Sequence, residues 1–263
     1  MSFPTVLYGP ESEVYNTYAV VSPAPGNNGA GGPIAYRHRH PLGKQLILED
    51  GRKFRFAAAG GSTLVIGNVL SSGVRTASQQ NLTAAAGEIG DRIITMTTGA
   101  ASAVNIFAEG YANISVTPGL GNSYKIASHA VMTSGAGDIV NLAPGHALRV
   151  ALTTSSRIDL IDNPYFRVIQ LPATTAASQI VGVAIVAATT LRGGWIQTRG
   201  VACVLGSGTL IAGTRAVAPL GTAGACGPET AVAGTSKLET DIGHTIFAAA
   251  SGAASSIFLE LDG

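Results

Sequence analysis

From Gln45 onward, glycine- or proline-bearing turns punctuate the chain about every ten residues, and the runs between them alternate apolar and polar side chains. A strand sends successive side chains to opposite faces, so this rhythm describes elements that bury one face and wet the other. No segment keeps the 3.6-residue rhythm of an amphipathic helix. Ala-rich pieces such as Thr83-Ala84-Ala85-Ala86 are too short to stand as helices. The clearest unit is Gln45-Leu46-Ile47-Leu48, the turn Glu49-Asp50-Gly51, and Arg52-Lys53-Phe54-Arg55-Phe56. Asp-Gly between apolar runs signals a hairpin, because the tight turn needs positive φ.

Further strands are predicted over 63–70, 92–97, 111–116, 123–131, 138–142, 147–152 and 157–161. Asn163-Pro164-Tyr165 reads as a boundary, followed by strands over 180–186, 195–205, 216–219, 242–248 and 256–261. Regular short strands with turn signals between them indicate barrels or sandwiches. The predicted fold class is therefore all-β, with two β-barrel or β-sandwich units. The predicted organisation is an extended N-terminal arm over 1–42, a β-rich domain over 43–164 and a C-terminal β-barrel over 165–263.

The arm prediction rests on Pro4, Pro10, Pro23, Pro25, Pro33 and Pro41 and on the glycine-rich run 25–33. Such a stretch buries too little apolar surface to fold alone. A disordered tail is the alternative. Tyr8, Tyr15, Tyr18 and Tyr36 favour an arm that docks, since aromatic anchors are what docking needs. Arg37 and Arg39, in the basic spot 36–40, join them as expected interface residues. Trimming 1–42 is expected to leave the fold intact and weaken docking. Trp195 is the remaining interface candidate. It shares a strand face with Gln197, and Gly200 permits a bulge or a close backbone approach. Its alternative role is the main core residue of the C-terminal barrel.

Charged residues make up 12% of the chain, about half the usual share. The formal net charge is +1, without the basic excess of a nucleic-acid binder. Sparse charge suits a surface partly covered by partners. Cys203 and Cys226 are too few for a disulfide framework and are expected as reduced, buried thiols, with a bridge as the alternative. Neither a secretory leader nor an 18-residue apolar run is visible, so synthesis in a cytoplasm and no membrane partner are expected.

Four tracts carry a resemblance. They are 148–165 (Leu148-Arg149-Val150 through Asn163-Pro164-Tyr165), Gly194-Trp195-Ile196-Gln197-Thr198-Arg199-Gly200-Val201-Ala202, the hairpin 48–57, and Phe107-Ala108-Glu109-Gly110-Tyr111-Ala112. In their order along the chain they resemble tailed-phage virion structural proteins of the capsid decoration (cement) family, from about residue 42 onward. The Trp-x-Gln-x-x-Gly element also occurs in smaller β-barrel decoration proteins. The resemblance implies a virion component on the outer capsid surface, made in the host cytoplasm and partnered by the major capsid protein. Self-association as a homotrimer is expected from the three-fold sites of capsid lattices. The alternative is a glycan- or receptor-binding module of a head fibre or tail.

Motifs for chemistry are missing. The sequence has no phosphate loop, no Gly-x-Ser-x-Gly elbow and no His-Glu-x-x-His. His38 and His40 alternate but lack a third ligand, and Cys203 and Cys226 lack zinc-site spacing. Asp159 and Asp162 are expected to cap the turn before Pro164. No catalytic, cofactor-binding or metal residue is expected, and no enzymatic activity.

Overall fold

The computed structural model describes residues 6–19, 39–174, 178–190, 192–219, 221–229 and 240–262. The fold is all-β, as the sequence predicts, with two 3₁₀ turns as its only helical elements among these residues. It divides into two compact units, and the division differs from the predicted one. Among the described residues, unit 2 is one continuous stretch, 75–163. Unit 1 gathers the described residues up to 19, those of 39–74, and the chain from 164 onward. The predicted boundary near 164 coincides with a real one. The predicted boundary at 42/43 does not, and the predicted domain 43–164 is split between the units. Turn signals mark where strands end, whereas domain membership follows from pairing.

Unit 2 is a closed, six-stranded antiparallel barrel. Unit 1 precedes it in the chain with strands β1 (Val6–Tyr8), β2 (Thr17–Ala19), β3 (Gln45–Ile47), β4 (Lys53–Ala58) and β5 (Val69–Ser71). The barrel strands are β6 (Leu82–Ala84), β7 (Ile93–Thr97), β8 (Tyr111–Val116), β9 (Ser123–His129), β10 (Gly137–Leu142) and β11 (Arg157–Ile161). They close in the order β10-β7-β6-β11-β8-β9. Alternate positions fill the interior: Ile94 and Met96, Ala112 and Ile114, Tyr124 and Ile126, Val140 and Leu142, Ile158 and Leu160. The predicted strand 147–152 is not one. Its alternation is real, but only Leu148 and Leu152 turn inward and plug the barrel, while Val150 stays exposed. Leu148 and Leu152 each exchange backbone hydrogen bonds with the 87–91 loop.

Unit 1 resumes with β12 (Ile169–Gln170), β13 (Ile180–Ala184), β14 (Arg192–Leu205), β15 (Arg215–Ala218), β16 (Gly227–Pro228), β17 (Thr240–Thr245) and β18 (Ala254–Glu260). Its main sheet runs β1-β3-β4-β14-β18-β17-β15-β16. β14 is the longest strand. One of its edges takes β4; along the other lie β2, β13 and then β18 in succession. The predicted strand 63–70 is interrupted by a turn at Gly67, leaving an isolated bridge at Leu64 and then β5. The β14–β4 register slips between Gln197 and Arg199, and Gly200 follows at φ +88°. A Cβ there would stand 2.8 Å from Arg52 Cγ, so the glycine of the Trp-x-Gln-x-x-Gly element permits both the bulge and the close approach.

Candidate interaction surface

The described N-terminal residues are not a free arm, and this corrects the sequence reading of 1–42. β1 pairs in parallel with β3, and β2 pairs with the start of β14. Between them lies a 3₁₀ turn, Glu11–Tyr15, with Val14 buried. Pairing with β3 and β14 supplies the apolar surface that the segment lacks alone. Its centre is Glu13. Glu13 Oε1 accepts hydrogen bonds from Tyr18 Oη at 2.7 Å, His40 Nε2 at 3.4 Å and Trp195 Nε1 at 3.4 Å. Asn16 Nδ2 donates to Oε2 at 3.3 Å. Burial alone would raise the Glu13 carboxyl, but these donors together outweigh it and hold it below its ordinary value. Burial lowers the His40 imidazole against the opposing pull of Glu13.

Around this carboxylate the rings interlock. Phe56 meets Trp195 edge-on with centroids 5.4 Å apart, and His40 lies 5.2 Å from Trp195 and 5.3 Å from Phe56. Arg39 stacks over Tyr18 at 5.0 Å.

The expected interface residues therefore separate. Trp195 is 1% exposed and belongs to the core, which corrects its assignment as an interface anchor. Its ring is covered because the Glu11–Tyr15 turn lies against β14. Tyr18 bonds to Glu13 and Arg39 stacks over Tyr18, so they pin the segment to its own sheet. Tyr36 and Arg37 lie outside the described residues. Tyr8 and Tyr15 remain, 79% and 54% exposed.

Tyr8 borders a groove of about 720 Å³. Its walls are Tyr8 through Glu11 on one side and the hairpin Ile47–Arg52 on the other. Glu11, Glu49 and Asp50 make it acidic. Arg52 offsets part of that charge, donating to Glu11 at 2.6 Å and to Asp50 at 2.5 Å. A second groove of about 430 Å³ lies beside the same hairpin tip, lined by Arg199, Gly200, Val201 and Phe258. Sequence reasoning passed over Glu13, Glu49 and Asp50 as sites. The hairpin tip was legible as a turn, but a groove needs β1 beside it, and no local pattern announces that pairing.

Elsewhere, Cys226 is buried and its thiol is pushed up to about 11 by burial, which makes it unreactive. Cys203 is exposed, contrary to expectation, because it alternates outward on β14. The two thiols are free. Asp159 does not cap the turn before Pro164. It accepts from Asn81 N–H at 2.7 Å, while Asp162 pairs with Arg75 at 3.2 Å. No group of three or more metal-ligating side chains is assembled among the described residues. Nor is any helix among them long and apolar enough to cross a membrane. No family model, curated protein or solved structure matches the chain.

Proposed function

We propose that the chain is a capsid decoration (cement) protein of a tailed phage, binding the major capsid protein on the outer surface of the head. The observation that carries the reading is the pair of exposed rings, Tyr8 and Tyr15, presented by a segment fixed to a β-sheet. Rigid aromatic anchors lose little entropy on docking. Full burial of each ring is worth about 2 kcal/mol, too weak for a lone contact. Repeated over a symmetric shell, such contacts sum to avidity. In the same reading the protein assembles as a homotrimer, matching the three-fold sites of a capsid lattice.

The test is a binding measurement on phage heads stripped of the protein, with cryo-EM locating it on the particle. Tyr8→Ala with Tyr15→Ala is expected to weaken head binding at least about tenfold, on the scale of a lost hot spot. Wild-type protein that ignores heads, or a double variant that binds them equally well, overturns the reading.

A second reading is a glycan-binding module of a head fibre or tail. Tyr8 beside the carboxylate of Glu49 offers a ring face and a hydroxyl acceptor in one groove, the chemistry that holds a sugar. Reproducible hits on a glycan array, lost in Tyr8→Ala, would favour it.

A further inference from the structure

The barrel has two different ends. The chain enters it at Arg75 and leaves at Asn163, and both residues sit at one end, where Arg75 pairs with Asp162 and Asn163 Nδ2 donates to the Glu109 carbonyl. The opposite end is built from three loops, 85–92, 117–122 and 143–156. They are fastened together: Gly87 and Leu152 exchange backbone hydrogen bonds, Leu148 N–H donates to Asp91, and Ser156 Oγ donates to the Pro118 carbonyl at 2.8 Å. Each loop presents one aliphatic side chain to solvent: Ile89 at 69%, Leu120 at 63% and Val150 at 38% exposure. Scattered exposed apolar side chains are ordinary, but three on one fastened rim mark a contact surface. Around them stand Arg92, Arg149 and Arg157, none with a carboxylate partner within 4 Å among the described residues. The acids of the rim are Glu88 and Asp91, and the Asp91 carboxylate is engaged by the Glu88 N–H at 2.8 Å.

We infer that this rim docks into the acidic groove of a second copy of the chain. The two surfaces are complementary in charge. The rim carries three arginines and three exposed aliphatic side chains. The groove is a concavity walled by Pro10 and Ile47 and edged by Glu11, Glu49 and Asp50. Glu49 has no cationic partner within 4 Å among the described residues, so an incoming arginine meets an uncompensated carboxylate. The contact joins different patches on the two copies, and a contact of that kind closes into a ring or runs on as a filament. The proposed homotrimer is such a ring, so the inference rests on the self-association part of the proposed function and names the surfaces that make it. A lipid surface is the lesser fit, because the rim carries none of the tryptophan or tyrosine that anchors proteins at membrane interfaces.

Sedimentation velocity on the full chain tests it. Wild-type protein is expected to form a closed oligomer at micromolar concentration. Arg149→Glu is expected to raise the dissociation constant at least about tenfold, and Glu49→Arg to do the same, as reversal of a contact charge does. Combining the two is expected to recover most of the loss. Both positions are exposed, so the thermal midpoint should not move and a folding failure is excluded by that measurement. Wild-type protein that is only monomeric overturns self-association and this contact together. An oligomer that neither reversal weakens leaves self-association standing and overturns the contact alone. Weakening by each reversal without rescue by the pair also overturns it.

Discussion

His129 shows how a buried polar residue can be fully satisfied by its surroundings. It is wholly buried in the barrel, its Nε2 accepts the Phe107 N–H at 3.0 Å, and its Nδ1 lies 2.7 Å from the Ala130 carbonyl. That pairing fixes a neutral ring with the proton on Nδ1. Burial pushes its pKa down, and the Ala130 carbonyl and Asp138 oppose this without overcoming it. In the unfolded chain the ring charges near pH 6.5, so the unfolded state binds the proton first as pH falls. The His129 contribution is therefore complete above about pH 6.5 and is lost as pH drops from there toward the depressed folded value. His129→Phe is expected to cost about 1–3 kcal/mol at pH 8, because the Phe107 N–H loses its acceptor. The gap between variant and wild type should shrink as pH falls to 5, measured by amide exchange in the barrel. A gap that stays constant with pH would refute the assignment. The strand that carries His129 was legible within the predicted 123–131. The role of His129 as an acceptor was not, since Phe107 belongs to an irregular loop.

At the scale of elements, alternation made most strands legible, and its failures have separate causes. β7, β8, β9, β10 and β11 fall where the apolar rhythm places them, because each has one face in the barrel and one in water. The 147–152 segment has the same rhythm yet serves as a plug, and β6 is too short at three residues to establish a rhythm of its own. β1 and β2 were missed for the opposite reason. They are short segments among prolines, and their order comes from pairing with β3 and β14. Trimming 1–42 therefore has a different expected outcome from the one the sequence suggests. It removes the Glu11–Tyr15 turn, Tyr18 and His40 from around Trp195 and strips β2 from β14. Trp195 is the only tryptophan in the chain, so its emission reports this site without interference. The truncated protein is expected to show red-shifted emission and an earlier unfolding transition in unit 1. An unshifted spectrum with unchanged stability would restore the view of 1–42 as a detachable arm.

At the scale of the molecule, the insertion of one closed barrel into a discontinuous sheet unit has a thermodynamic consequence. A closed barrel leaves no strand edge unpaired, and its interior cluster from Leu82 to Leu160 is drawn wholly from 75–163. Its two chain ends emerge at the same end of the barrel, tied by the Arg75–Asp162 ion pair. A unit with its own core, no open edge and adjoining termini meets the conditions for folding alone. Unit 1 is different: its sheet needs β3 and β4 from before the insertion to pair with β14 from after it, so neither flank can complete the core by itself. Residues 75–163 expressed alone are expected to give a β-type circular dichroism spectrum and a single cooperative melt. Residues 164–263 alone are expected to give neither, because β14 would lose β4 from Gly193 to Arg199 and Trp195 would lose Phe56 and Glu13. Supplying 1–74 as a separate chain should restore the native Trp195 emission if pairing across the insertion is what completes the unit. If 164–263 instead folds unaided, as an independent C-terminal barrel would, then the β4–β14 pairing is dispensable and the two-unit architecture described above is wrong at its central strand.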